Sequence, residues 1–242
     1  STERGPSRSR STSRGRSDQF QGYESGSCSF TLFNNKREFD ATRTQIALDA
    51  PGSAGAGAST PDDAALNPAG AELYVKVRLS LDNWVPGGFG QFIIGQFPGA
   101  PQNSWVFDID PTGKPQLDYT TDGSTGLVST ATQPTGFEAG SGHWIDVTLD
   151  PDNGAAGRTV TFRTSEDGFT WSVIGTPVTT AGTVSLFNST GALLVGGGAL
   201  PLAGQVYEAD VRIGGEMGAV AASPRFSELD LGTTSFTDGS GR

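Results

Sequence analysis

The run His143–Gly175 reads HWIDVTLDPDNGAAGRTVTFRTSEDGFTWSVIG, and it is written for antiparallel strands. Ile145, Val147 and Leu149 alternate with Asp146 and Thr148. Val160 and Phe162 alternate with Thr159, Thr161 and Arg163, and Trp171 and Val173 open a third strand. An alternation of period two puts apolar side chains on one face of a sheet and polar ones on the other. Asp152-Asn153-Gly154 and Glu166-Asp167-Gly168 supply the positive-φ positions that tight hairpins need.

The same pattern runs outward in both directions. Leu73, Val75, Val77, Leu79 and Leu81 alternate with Glu72, Tyr74, Lys76, Arg78 and Ser80. Further strands are expected at 91–97, 105–110, 116–120, 127–131, 183–187, 193–196, 205–213, 218–222 and 225–229. In 205–213, Tyr207, Ala209, Val211 and Ile213 are expected to face one way, and Glu208, Asp210 and Arg212 the solvent. Thirty-five Gly and 14 Pro punctuate the chain, and no apolar pattern at helical spacing outlasts about two turns. Many short strands at regular spacing, without a blade repeat, imply an all-β, two-sheet antiparallel jelly-roll sandwich.

Charge divides the chain. Residues 1–43 hold eight of the 16 basic and five of the 26 acidic side chains; residues 44–242 hold the other eight and 21, a net of −13. The acidic part is expected to repel nucleic acid and anionic membranes. Residues 1–19, with five arginines among Ser, Thr and Gly, read as an extended solvated arm, and 28–34 as a short strand. The PGSAGAGASTPDD stretch from Pro51 reads as loop. The single cysteine, Cys28, rules out an internal disulfide. No stretch approaches the roughly 18 apolar residues of a membrane-spanning helix, and no leader is visible. A chain that starts at Ser1 and whose only methionine is Met217 reads as a fragment or processed product.

Two segments carry a resemblance. RGRSDQFQGYESGSCSFTLFNNKREFD (Arg14–Asp40) resembles a segment of minor tail proteins of tailed phages that infect actinobacteria. From about Ile46 onward, VRLSLDNWVPGG, DVTLDPDNGAAGRTVTFRTSEDGFTW, PLAGQVYEADVRIGG and ASPRFSELDLGTTSFTDGSGR resemble the laminin-G-like (concanavalin-like) jelly roll such proteins carry. The resemblance implies a truncated baseplate-like docking fragment at 1–43 and a jelly-roll domain at 44–242. The chain ends where members of the family continue with a Trp-containing strand. Function is then expected to be non-enzymatic: a virion tail component, facing outward, homo-oligomeric in the assembled tail and bound to other tail proteins. Its jelly roll would contact host cell-surface glycan. The alternatives are a structural tail module without ligand, and an extracellular lectin or glycosidase.

Catalytic chemistry is sparse. His143 is the only histidine, so a Ser-His-Asp triad could use no other; it opens a strand with no nucleophile elbow nearby and reads as a strand-edge residue. Asp108 and Asp110 share a strand face, as do Glu208 and Asp210, but no tight Glu-x-Asp-x-x-Glu strand is present. Ser165–Trp171 resembles an Asp-box hairpin, a structural device in which Trp packs inward. A sugar's C–H face packs on an aromatic platform, which nominates Trp84 and Phe89 in the DNWVPGGFGQ loop, and Tyr119, whose strand position also suits the core. Trp105, Trp144 and Trp171 are assigned to the interior or its edges. No cofactor is expected. Calcium at the domain rim, as the resemblance implies, would use Asp150 and Asp152, whose spacing equally suits a plain turn.

Overall fold

The computed structural model describes residues 47–53, 56–198, 200–230 and 233–240. The chain divides into two units, Ser1–Thr44 and Gln45–Arg242, and the described residues all belong to the second. The expected arm and the 28–34 strand lie outside the described residues.

Among the described residues, fourteen strands form two antiparallel sheets: β1 (Leu48–Pro51), β2 (Ala58–Thr60), β3 (Leu73–Leu81), β4 (Gln91–Gln96), β5 (Trp105–Ile109), β6 (Pro115–Thr120) and β7 (Gly126–Thr130), then β8 (Gly142–Asp150), β9 (Gly157–Ser165), β10 (Ser172–Val173), β11 (Val178–Ala181), β12 (Leu193–Val195), β13 (Ala203–Ile213) and β14 (Ala219–Ala222). The eight-stranded sheet runs β1-β13-β3-β8-β9-β10, with β11 also on β9 and β14 also on β13; the six-stranded sheet runs β2-β12-β4-β5-β6-β7. This is a two-sheet sandwich of the jelly-roll type.

Alternation becomes the core directly. Leu73, Val75, Val77, Leu79 and Leu81 of β3 join Ile145, Val147 and Leu149 of β8 and Val160 and Phe162 of β9 on one inner face. Ile93, Trp105, Phe107, Ile109, Leu117 and Tyr119 face them from the other sheet. Phe107 and Phe162 stack across the gap with centroids 6.3 Å apart. Removing this apolar area from water stabilises the sandwich by about 25 cal/mol per Å².

The opening run folds as its pattern predicts. Val147 pairs with Phe162 and Leu149 with Val160. Gly154 and Gly168 take φ of 72° and 75°. The third strand is only Ser172–Val173, and Val178–Ala181 adds a further strand on the same edge of β9.

Several expectations fail for local reasons. Segment 183–187 is no strand: its amides bond to carbonyls of Pro151, Ala69 and Thr120, which belong to different elements. Segment 225–229 closes in a short 3-10 turn, Phe226–Glu228, after a single bridge from Arg225 to Glu208. Tyr207 leaves the inward series because a bulge between Val206 and Glu208 shifts the register; Arg78 lies over its ring at 5.1 Å. The stretch from Pro51 is not all loop: it holds the end of β1 and the edge strand β2, whose small residues carry no strand signal.

Candidate functional site

Several loops converge at one end of the sandwich. Ser80 pairs with Gly142 and Trp144 with Ser165, so β3 ends where β8 begins and β9 ends. The loop after β3 is tied to the 110–114 turn by Gly87 N–H to the Pro111 carbonyl, and the 131–141 loop by Thr135 N–H to the Gly113 carbonyl.

Trp84 does not form a platform here. The Asn83 side chain accepts from the Val85 amide at 2.9 Å, and this turn drives the indole inward until it is 2% exposed. Its ring meets Phe137 edge-on at 4.9 Å. Tyr119 is also fully buried, in the core, where its hydroxyl accepts from Arg158 Nε at 2.6 Å. Phe89 is the one nominated ring at the surface, 80% exposed, with Val85 exposed on the same loop. Phe169, at the tip of the β9–β10 turn, is 88% exposed. The Asp-box reading of that turn is accurate for Asp167, which accepts from the Phe169 and Thr170 amides and the Ser165 hydroxyl. These bonds hold its carboxyl well below the usual range. Trp171, however, is half-buried on the outer face under Arg163, at 5.2 Å.

Tertiary structure brings two partners to His143 that its sequence neighbourhood concealed. Nδ1 lies 3.0 Å from Glu166 Oε1 and Nε2 lies 2.9 Å from Ser141 Oγ, while the ring stacks on Phe137 at 3.7 Å. A carboxylate only accepts, so Nδ1 donates to Glu166. The single Ser141 hydroxyl proton is donated to the Glu138 carbonyl. The amides of Gly140 and Ser141 are committed to the carbonyls of Leu81 and Glu138 and cannot serve an oxyanion. The group pins the 137–141 loop to the β9–β10 turn and thereby fixes the loop end.

The carboxylates sort differently from their sequence pairing. Asp110 is spent on its turn, accepting from the amides of Thr112 and Lys114. Asp108 points to the outer face of the six-stranded sheet, diagonal to Asp118: Asp108 pairs with Gln116, and Asp118 with Val106. Asp108 is 3% exposed. One oxygen of each is buried without a hydrogen-bond partner. Burial, then the neighbouring charges of Asp118 and Asp110, push Asp108 up to about 8. Burial raises Asp118 to about 6, opposed by a hydrogen bond from Gln116.

On the outer face of the other sheet, the two buried acids both have cationic partners. Asp146 is buried against Arg163 at 2.6 Å and Tyr74 at 3.2 Å. Asp210, expected in solvent, is buried instead, with Lys76 at 3.2 Å, Arg225 at 2.8 Å and Ser223 at 2.6 Å.

Asp150 and Asp152 serve their hairpin: they accept from the amides of Asp152 and Gly154. Among the described residues no group of three or more His, Cys, Asp or Glu is placed to hold a metal. A groove of about 620 Å³, lined by Leu48, Thr60, Leu193, Phe226, Thr234 and Phe236 among others, involves none of the nominated residues. No described helix is long and apolar enough to cross a membrane.

No protein-family model and no curated protein matches the chain. Among solved structures, it is similar to the CBM40 domain of the Ruminococcus gnavus IT-sialidase bound to α2,6-sialyllactose, at 13% identity and a TM-score of 0.44, covering 69% of this chain and 89% of that one. A leech intramolecular trans-sialidase gives 16% and 0.44, covering 70% of this chain and 26% of that one. A heptameric SAP-like pentraxin from Limulus polyphemus gives 14% and 0.40, covering 69% and 75%.

Proposed function

We propose that this chain is part of a minor tail protein of an actinobacteriophage-like virion, and that its sandwich contacts host cell-surface glycan through the loop end that carries Phe89. The observation that supports contact, rather than a passive spacer, is the exposure of Phe89 and Phe169 on loops of one end, held by the Trp84–Phe137–His143 ring cluster. An exposed ring on a pinned loop offers a sugar's C–H face a platform with little ordering entropy left to lose. Each contact is weak, and many copies on one virion supply avidity. The role is binding, without turnover, outward-facing and among other tail proteins.

The test is binding of the full chain to isolated actinobacterial cell-wall glycan, beside Phe89→Ala. Saturable binding, weakened at least tenfold in the variant with an unchanged melting temperature, is expected. A folded chain that binds none of the glycan would leave a structural tail module as the better account.

A further inference from the structure

The acids on the two outer faces differ in one respect. Asp146 and Asp210, both buried, have cationic partners: Arg163 for the first, Lys76 and Arg225 for the second. Asp108 and Asp118 have no ion pair with any described residue, and each keeps a buried oxygen without a donor. A buried carboxyl in that condition destabilises the fold. A residue that costs stability where Asn or Thr would fit belongs to the places where binding sites are found.

We propose that Asp108 and Asp118 form a seat for the ammonium group of an amine-bearing glycan, a proposal that rests on the glycan reading above. An ammonium supplies both missing quantities, N–H donors and a positive charge, as Lys76 does for Asp210 on the opposite face. A sugar hydroxyl would supply a donor but no positive charge, so Asp108 would keep its proton; an ammonium displaces that proton and leaves both acids ionised. A calcium ion takes six to eight oxygen ligands, and among the described residues no third His, Cys, Asp or Glu is placed to join the pair. The surroundings suit a small cation. Thr130 donates to Gln116 Oε1 at 2.9 Å, which turns the Gln116 amide nitrogen toward Asp118. Asp118 is partly exposed, beside the exposed Val128, its cross-strand partner, so a ligand meets Asp118 first and Asp108 behind it. The elevated proton affinities of both acids agree with an anionic seat that lacks its counter-charge. Acidic glycans are excluded by the same charges.

The experiment is calorimetric titration of the full chain at pH 7 with a glucosamine tetramer and with its N-acetylated counterpart, for the wild type, Asp108→Asn, Asp118→Asn and Asp230→Asn. Asp230 is exposed and controls for bulk charge. The expected result is at least tenfold tighter binding of the free amine, lost in Asp108→Asn and Asp118→Asn and kept in Asp230→Asn. Equal affinity for the two tetramers, or a preference that survives Asp118→Asn, overturns the seat. If cell-wall glycan still binds through Phe89 in that case, the glycan reading stands alone. If neither tetramer nor wall glycan binds the folded chain, both fall. Melting curves of each variant show that any loss of binding is not a loss of fold.

Discussion

The two outer faces of this sandwich bury acids under opposite conditions. On the eight-stranded sheet, burial pushes Asp210 up, but the Ser223 hydroxyl and the charges of Arg225 and Lys76 outweigh it and hold the carboxyl below its ordinary range. Asp146, with one arginine, stays raised by burial, which Arg163 and Tyr74 offset only in part. On the six-stranded sheet, Asp108 has no cation among the described residues and rises to about 8. The series shows that burial alone does not identify an acid's role. What distinguishes a structural carboxylate from a candidate binding group is whether the chain itself provides the counter-charge.

The comparison can be broken most forcefully at Arg163. Arg163→Ala would leave Asp146 buried without its cation, and a loss of about 3–5 kcal/mol is expected from urea unfolding. A loss below about 1 kcal/mol would mean that the two faces do not differ in the way described.

The next largest effect lies at Asp108 and has the opposite sign. The folded chain holds this proton up to about pH 8, whereas an ordinary Asp releases it near 3.8. Its contribution is therefore full below about pH 4 and is lost as pH rises toward 8. Asp108→Asn should stabilise the fold, and its advantage should grow by roughly 1 kcal/mol per pH unit between pH 5 and 8, since one unit of pKa shift is about 1.4 kcal/mol. Unfolding curves of both proteins at those two pH values check it; a constant difference would place Asp108 among ordinary surface acids.

The smallest effect concerns the loop end. Gly168 takes φ of 75°, and an added Cβ would stand 2.9 Å from the Trp144 ring. Gly168→Ala should destabilise by about 2 kcal/mol. It should also loosen the turn that carries Phe169 and Glu166, seen as faster amide exchange at residues 165–170. A neutral result would show that the turn is not pinned.

Much of this architecture was legible in residue order. The five alternating aliphatics of β3 and the Asn-Gly and Asp-Gly turns of 143–175 specify strands, hairpins and an inward face by local rules alone. Segments 183–187 and 225–229 misled because alternation without a partner strand makes no sheet. Tyr207 misled because a bulge is a property of the pair, not of the strand. Of the nominated site residues, Phe89 reached the surface while Trp84 and Tyr119 went inside. A loop aromatic's fate depends on what stands opposite it, here Phe137, more than fifty positions away.

The sequence by itself determined the all-β class, the inward faces of the long strands and the glycines of the turns, because these follow from the period of a strand and from backbone sterics. Only the tertiary structure decided which acids have cations, that Ser141 and Glu166 meet His143, and that Asp108 lies beside Asp118 and not with Asp110. The period of two says which side of its strand a residue takes. What lies across from that side is set by the register of strands and the meeting of loops, which no local pattern records.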